Sequence, residues 1–318
     1  MRAIVYTGTG GREVMRFEER PDPAPGSAEL LVAVRFAALN TADLAQRAGA
    51  YPAPPGAPQD IPGLEVAGTV VAAGEAARDF AEGDRIFGLV GGGGLADRVV
   101  VHARHVTRVP DVLSDEEAAA IPEAFITSHD ALVTRGGLRL GDLLLVNGAN
   151  GGVGSAGVQV GVVAGARVFA SARSAHERLA ELGAEPVLPD DAFPAVQAAG
   201  GADVVLELVG GPNLDRDLDA LATKGRIVIV GTGAGADANL SLHKLMAKRT
   251  TIHGTVLRAR PLEEKAEAVQ RFAHEVVPHL ASGRMRAIVD RVFPAEDAAD
   301  AFDHMAGTGK FGKVLLAF

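Results

Sequence analysis

Three observations predict an α/β fold in which a doubly wound, six-stranded parallel sheet is joined to a second, mostly β domain. Residues 142–154, DLLLVNGANGGVG, run from an apolar strand into a glycine-rich turn and on into a helix of small and apolar residues. From there to residue 257 strands and helices alternate, as a parallel sheet with crossover helices requires. The first 122 residues instead carry short Val-, Ile- and Leu-rich runs split by proline and glycine clusters, the pattern of an all-β unit.

In that β-rich region Ala3–Tyr6, Glu29–Ala37, Val66–Ala72, Arg85–Leu89 and Ala96–Val101 read as strands. PDPAPGS (21–27) and YPAPPGAPQDIPG (51–63) separate them, and Asn40 to Arg47 reads as a short helix. GGGG at 91–94 follows a strand with no helix after it, so it is a flexible turn rather than a phosphate cradle. Ser114 with Glu117 forms a capping-box pattern ahead of an Ala-rich helix ending near Pro122, and Glu123 to Arg135 follows as another helix.

The six strands of the sheet are Leu143–Val146, Arg167–Ser171, Pro186–Leu188, Asp203–Leu208, Arg226–Val230 and Thr250–Leu257, with a helix at His176–Leu182. A helix at Leu262–Leu280 follows, and the chain ends in the apolar strand Lys313–Ala317, which has no place in that sheet. The tail is therefore expected to return to the β-rich domain, with boundaries at 1–122 plus 262–318 and at 123–261.

Ala149, Gly151 and Gly154 take the three positions of the GxGxxG dinucleotide fingerprint, with Ala in the first. Gly151 lets backbone N–H groups approach a pyrophosphate at the positive end of the following helix, and Gly154 lets helix and strand pack closely. Contacts are expected from Asn150, Gly151, Gly152 and Val153. An NAD site ordinarily carries Asp or Glu about twenty residues beyond the first glycine, on the ribose hydroxyls. Here the chain reads Phe169-Ala170-Ser171-Ala172-Arg173-Ser174, without a carboxylate. Ser171, Arg173, Ser174 and Arg178 instead offer hydroxyls and guanidinium groups suited to a 2′-phosphate, so NADPH is the expected cofactor. Ser174 with Glu177 also reads as a capping box, and Arg173 as a solvated surface charge. Val209-Gly210, Gly231-Thr232 and Val256-Leu257, at the ends of strands four to six, are further expected contacts, because a doubly wound sheet binds its ligand there.

Composition narrows the function. A chain of 318 residues, 47% hydrophobic and 22% charged, is long enough for two cores and reads as globular. No apolar run reaches the ~18 residues of a membrane-spanning helix, and MRAIVYTG lacks the apolar centre of a signal peptide. A net charge of −9 argues against a nucleic-acid surface. With no cysteine, disulfides, thiolate catalysis and cysteine-ligated zinc are excluded, and a cytoplasmic setting is expected.

The segments NTADLAQRAGAYP (40–52), IPGLEVAGTV (61–70), GDRIFGL (83–89), AAAIPEAFITSHDAL (118–132) and NGANGGVG (147–154) together resemble the medium-chain dehydrogenase/reductase superfamily, and within it the zinc-free quinone oxidoreductases. LVGGGG, HKLMAKRTTIHGTVLRAR (243–260) and GTGKFGKVLL (307–316) resemble the branch that includes the tumour-suppressor-inducible quinone oxidoreductase. The resemblance implies a GroES-like β domain built from both chain ends around a Rossmann domain, with NADPH in the cleft. It also implies homodimers or tetramers, the dimer pairing Thr250–Leu257 with its mate; an exposed edge strand invites such pairing. Asn40 and Thr127 would border the nicotinamide, Tyr51 would lie in the acceptor pocket, and Gly312 and Lys313 would approach the nicotinamide ribose or phosphates. The superfamily's zinc enzymes place Cys where this chain has Asn40 and His-Glu where it has Leu64-Glu65. No metal is therefore expected, and Glu65 is expected to be structural.

Without a metal to polarise an oxygen, an acceptor already activated by conjugation suits the site, a quinone or an α,β-unsaturated carbonyl. Tyr51 would then donate a hydrogen bond to the developing oxyanion. Each residue also has a plainer reading: Tyr51 covers a proline-rich loop, Asn40 caps its helix, Thr127 bonds its own backbone, Lys313 is solvated. His129, a conceivable proton donor, is expected to face solvent. Two other functions stay open, an enoyl-thioester reductase with Arg47, Arg258 and Arg260 at a basic mouth, and a non-catalytic NADPH-binding protein.

Overall fold

The computed structural model describes residues 1–318, and the chain divides into two units, Met1–Glu123 with Leu257–Phe318, and Ala124–Val256. In the second unit six strands form one parallel sheet: β1 (Leu143–Asn147), β2 (Arg167–Ser171), β3 (Glu185–Val187), β4 (Ala202–Glu207), β5 (Leu221–Ile229) and β6 (Thr251–Gly254). Their order is β3-β2-β1-β4-β5-β6. The order reverses between β1 and β4, so the crevice for a ligand lies at the C-terminal ends of those strands. Every residue of β1 is buried, which explains its unbroken apolar run: helices cover both faces. Leu143, Leu145, Phe169, Val205 and Ile227 pack with Phe193, Val196 and Leu218 in one core. Each such side chain contributes about 1.5–3 kcal/mol by leaving water.

The sixth strand is shorter than the sequence suggests, ending at Gly254 instead of Leu257. Val256 is exposed beyond it, while Leu257 begins the return to the first unit. That boundary falls at Leu257 rather than at residue 262 because Arg258 is hydrogen-bonded to Gln46, Tyr51 and Gly91. The expected helix Leu262–Leu280 is split into Leu262–Glu275 and Val277–Ala281, the second with Pro278 in its first turn.

The first unit is built on a seven-stranded sheet. Glu29–Ala38 pairs antiparallel with Glu65–Ala73, and Leu315–Ala317 of the tail strand Lys313–Ala317 pairs with Phe36–Ala38. The tail thus completes this sheet, with Val289–Pro294 parallel outside it. Gly312 has φ +97° and turns the chain into the tail strand; a Cβ there would stand 2.3 Å from the Ile288 carbonyl oxygen. Leu30, Val32 and Val34 alternate inward from their strand onto Val66, Val70, Phe302 and Leu316. GGGG at 91–94 is a turn, held by Gly93 N–H and Leu95 N–H on the carbonyls of Ile61 and Pro62.

Candidate functional site

Each unit carries a polar centre, and the two are made differently. In the second unit the N–H groups of Gly148 and Ala149 both donate to the Ser171 carbonyl at 3.0 Å, tying the turn after β1 to the end of β2. The helix Gly152–Val163 then starts from Gly151, whose N-cap position has no side-chain partner. Its first-turn N–H groups have no intrahelical acceptor and attract an anion. A Cβ at Gly154 would lie 2.3 Å from the Gly148 oxygen and 2.7 Å from the Ala149 Cα, so helix and turn meet only across glycine. At Gly151 the nearest atom would be 3.7 Å away, which leaves the approach of a ligand open.

Beyond β2, Ser171 is buried and Arg173 is exposed with no ion-pair partner. Ser174 does not cap the next helix, as the capping-box pattern suggests. Ala175 adopts a left-handed conformation, φ 65°, and is itself the N-cap of His176–Glu181, with no side-chain bond. The left-handed Ala costs about 1–2 kcal/mol, a strain typical of ligand-binding turns. Ser174 and Arg173 are thus left to the turn that follows β2, with Arg178 exposed on the helix after it.

The end of β4 shows what the sequence reading missed. Glu207 is fully buried, and its carboxylate accepts from the N–H groups of Val209 at 2.5 Å and Gly210 at 2.7 Å. Asn147, at the end of β1, donates to Glu207 at 2.6 Å and to Asp217 at 2.8 Å. Burial and the neighbouring Glu207 push the Asp217 carboxyl well above the usual carboxylate range. This network fixes the Val209-Gly210 bend and occupies the N–H groups of both residues, so neither is left to donate to a ligand. Gly231, past β5, donates to the Glu207 carbonyl at 3.2 Å, with Thr232 next to it. Thr127 is buried on the helix Pro122–His129, where its neighbour Ser128 Oγ donates to the Val153 carbonyl at 2.8 Å. His129 is buried too, not solvent-facing, because the helix continues into a π-helical stretch, Asp130–Arg135, whose first residues are also buried.

In the first unit strand register brings three distant residues together. The Leu39 N–H donates to the Val314 carbonyl, which sets Lys313 beside Asn40, and Ala37 opposite Val66 brings Glu65 to the same edge. Lys313 Nζ lies 2.6 Å from Glu65 Oε1 and donates to Asn40 Oδ1 at 2.5 Å. Asn40 Nδ2 donates to Glu65 Oε1 at 2.9 Å, and the Glu123 N–H to Glu65 Oε2 at 2.7 Å. Glu65 is 0% and Lys313 6% exposed, so Lys313 is not a solvated lysine. The Asn40 side chain serves this cluster, while the helix cap runs the other way, from the Asn40 N–H to the Asp43 carboxylate at 2.8 Å. Asp43 also accepts from the Gly63 N–H, and burial pushes its carboxyl up to about 6.

Half-buried Tyr51 lies over the Arg258 guanidinium, whose carbon is 5.4 Å from the ring centroid. Burial first, then Glu123, raise the Tyr51 phenol, and Arg258 opposes them. Arg258 is 3% exposed and cannot belong to a solvent-facing basic mouth; Arg47 is half-buried, with its guanidinium over Phe302.

The donor set at Asn40, Leu64 and Glu65 does not fit a tetrahedral zinc ion. It holds one carboxylate and no imidazole or thiolate, and an ammonium group already sits on that carboxylate. No cluster of three His, Cys, Asp or Glu side chains suits a metal elsewhere in the chain. The glycine turn and the strand ends, by contrast, fit a dinucleotide.

Comparison with known proteins agrees on the architecture. Residues 152–274 match the zinc-binding dehydrogenase family and residues 26–111 the alcohol dehydrogenase GroES-like domain. The synaptic vesicle membrane protein VAT-1 homolog of Rattus norvegicus is 32% identical, over 99% of this chain and 84% of its own. The quinone oxidoreductase of Rattus norvegicus is 31% identical, over 99% of this chain and 97% of its own. The structure of the Thermus thermophilus quinone oxidoreductase, solved also in complex with NADPH, superposes with a TM-score of 0.87 at 33% identity over the whole of both chains.

Proposed function

The chain belongs to the medium-chain dehydrogenase/reductase superfamily of oxidoreductases, and on that premise we propose that it is an NADPH-dependent, metal-independent reductase of quinones and other conjugated carbonyl compounds. The observation that carries this reading is the Lys313–Glu65–Asn40 cluster: where zinc relatives are expected to hold a metal, this chain holds its own buried cation. An acceptor that spreads its developing charge by conjugation needs no Lewis acid beside it. When bound, NADPH supplies a hydride from its nicotinamide ring.

The second unit's residues bind the nucleotide in this reading. The first-turn N–H groups after Gly151 face the pyrophosphate, with Asn150, Gly152 and Val153 around it. Arg173, exposed and unpaired, and Ser174, released from capping, face the 2′-phosphate with Ser171 and Arg178. The Tyr51 phenol donates to the acceptor oxygen as it gains charge. A homodimer through the open edge of β6 is part of the proposal; exposed Leu242, Met246 and Val256 lie near it in sequence. The buried position of Arg258 removes a cation from the mouth that an enoyl-thioester reductase would need.

Purified protein assayed at 340 nm against quinones, enones and enoyl thioesters, with NADPH and NADH in parallel, tests the proposal. It expects oxidation of NADPH by quinones or enones at a rate well above that of NADH. No oxidation with any acceptor, or equal use of both nucleotides, would overturn it.

A further inference from the structure

Arg258 is a guanidinium withdrawn from water at 3% exposure, and its three nitrogens each meet a different segment. Nε donates to the Gly91 carbonyl at 2.8 Å, in the glycine run after Arg85–Leu89. Nη1 donates to the Tyr51 carbonyl at 3.3 Å, and Nη2 to Gln46 Oε1 at 2.6 Å, in the helix Thr41–Arg47. The planar fork therefore grips the Tyr51 residue twice, by its carbonyl and under its ring. Arg258 is itself held from behind: buried Lys265 Nζ donates to its carbonyl oxygen at 2.8 Å. Gln46, Tyr51 and Gly91 have no backbone hydrogen bond to one another, and the loop that carries Tyr51 is rich in proline and glycine.

A buried arginine with no carboxylate within ion-pairing distance is costly to keep: its hydrogen bonds all go to neutral acceptors, and Asp43 and Glu123, acting from farther off, offset its desolvation only in part. An apolar side chain would fill the same space more cheaply. We infer that Arg258 is a positioning residue of the reduction, one that fixes the Tyr51 ring and loop in the geometry from which the phenol meets the acceptor oxygen. The inference rests on the proposed role of Tyr51. The charged and titratable groups around that phenol are Arg258 and Glu123, with Lys265 and Asp43 flanking Arg258. Arg258 sets both where the ring stands and the positive charge beneath it, two properties that a hydrogen-bond donor to an oxyanion depends on.

A double-mutant cycle on the full chain tests this. Arg258→Met and Arg258→Lys are expected to lower kcat for quinone reduction about ten- to a hundredfold, because the displaced phenol no longer meets the oxyanion. NADPH affinity, measured by fluorescence titration, should stay within about twofold. In a Tyr51→Phe background the same changes should cost no more than about twofold further, since the group they position is gone. Gln46→Leu removes one of the three anchors and should give a smaller loss that also vanishes in Tyr51→Phe, which serves if the Arg258 variants fold poorly. The chain has only two tyrosines and no tryptophan, so ¹³Cζ-tyrosine spectra follow the Tyr51 phenol apart from catalysis. Its signal should move or broaden in Arg258→Met while NADPH binding persists. Additive losses, or an unmoved Tyr51 signal, would overturn the inference. A Tyr51→Phe protein as active as the parent would instead remove the role proposed for Tyr51, a distinguishable result.

Discussion

The two polar centres differ in what they are made of. The nucleotide centre of the second unit is largely backbone: a turn folded onto the Ser171 carbonyl, a helix end, and strand ends steadied by Glu207. The centre of the first unit is made of buried side chains, Lys313 on Glu65 and Asn40, and Arg258 on Gln46 and Tyr51. Backbone sites tolerate exposure and are specific through shape. Buried charges are stable only as complete sets, and removing one member leaves the rest unpaired.

That contrast predicts its largest effect at Lys313. Lys313→Met leaves Glu65 buried with only an amide and a backbone N–H, and should cost about 3–5 kcal/mol in denaturant unfolding. Adding Glu65→Gln should recover part of that loss. A loss under about 1 kcal/mol would mean that the pair is not a closed unit. Asp43 gives the next effect, with a defined sign. Burial raises its carboxyl from 3.8 to about 6, so the folded chain keeps a proton that the unfolded chain has released. Its contribution to stability is present at low pH and is lost as pH rises through that window, by about 3 kcal/mol in all. Unfolding free energies measured from pH 4 to 7 should fall less steeply in Asp43→Asn than in the parent chain; matching slopes would contradict this.

Changes in the nucleotide centre should spare stability and strike binding. In the proposed site Arg173→Asp would remove one charge-assisted hydrogen bond to the 2′-phosphate, about 1.5–3 kcal/mol, and should weaken NADPH roughly ten- to a hundredfold while NADH changes little. Titration of both nucleotides measures it, and equal weakening would sink the 2′-phosphate assignment. The smallest effect on the fold is expected at Gly151. Gly151→Ala meets no atom closer than 3.7 Å and should cost about 1 kcal/mol or less of stability, yet hinder NADPH binding. An alanine variant that binds NADPH as tightly as the parent would place the pyrophosphate elsewhere.

The same contrast explains what was legible beforehand. The six-strand sheet, the glycine turn and the carboxylate-free stretch after β2 are local patterns, each written within a few residues. The buried centres join residues far apart: Asn40 and Lys313 are separated by 273 positions, Gln46 and Arg258 by 212. No periodicity reports such partners, so Lys313 read equally well as solvated and Arg258 as a surface cation. One signal was available. Glu65 stands alone in the apolar stretch IPGLEVAGTV, and a carboxylate carried into a core demands a cation from somewhere. Ser174 went the other way: its local pattern with Glu177 matched a capping box, but a left-handed Ala175 moved the helix start past it.

Steady-state NADPH oxidation by a quinone, before and after exhaustive dialysis against a strong chelator with metal content measured in parallel, is the most direct test of the central claim. With the Lys313 ammonium already seated on the Glu65 carboxylate, the proposed metal-independent reaction should run at the same rate in both samples and be unmoved by added zinc. A rate that disappears with the chelator and returns with zinc would contradict the account.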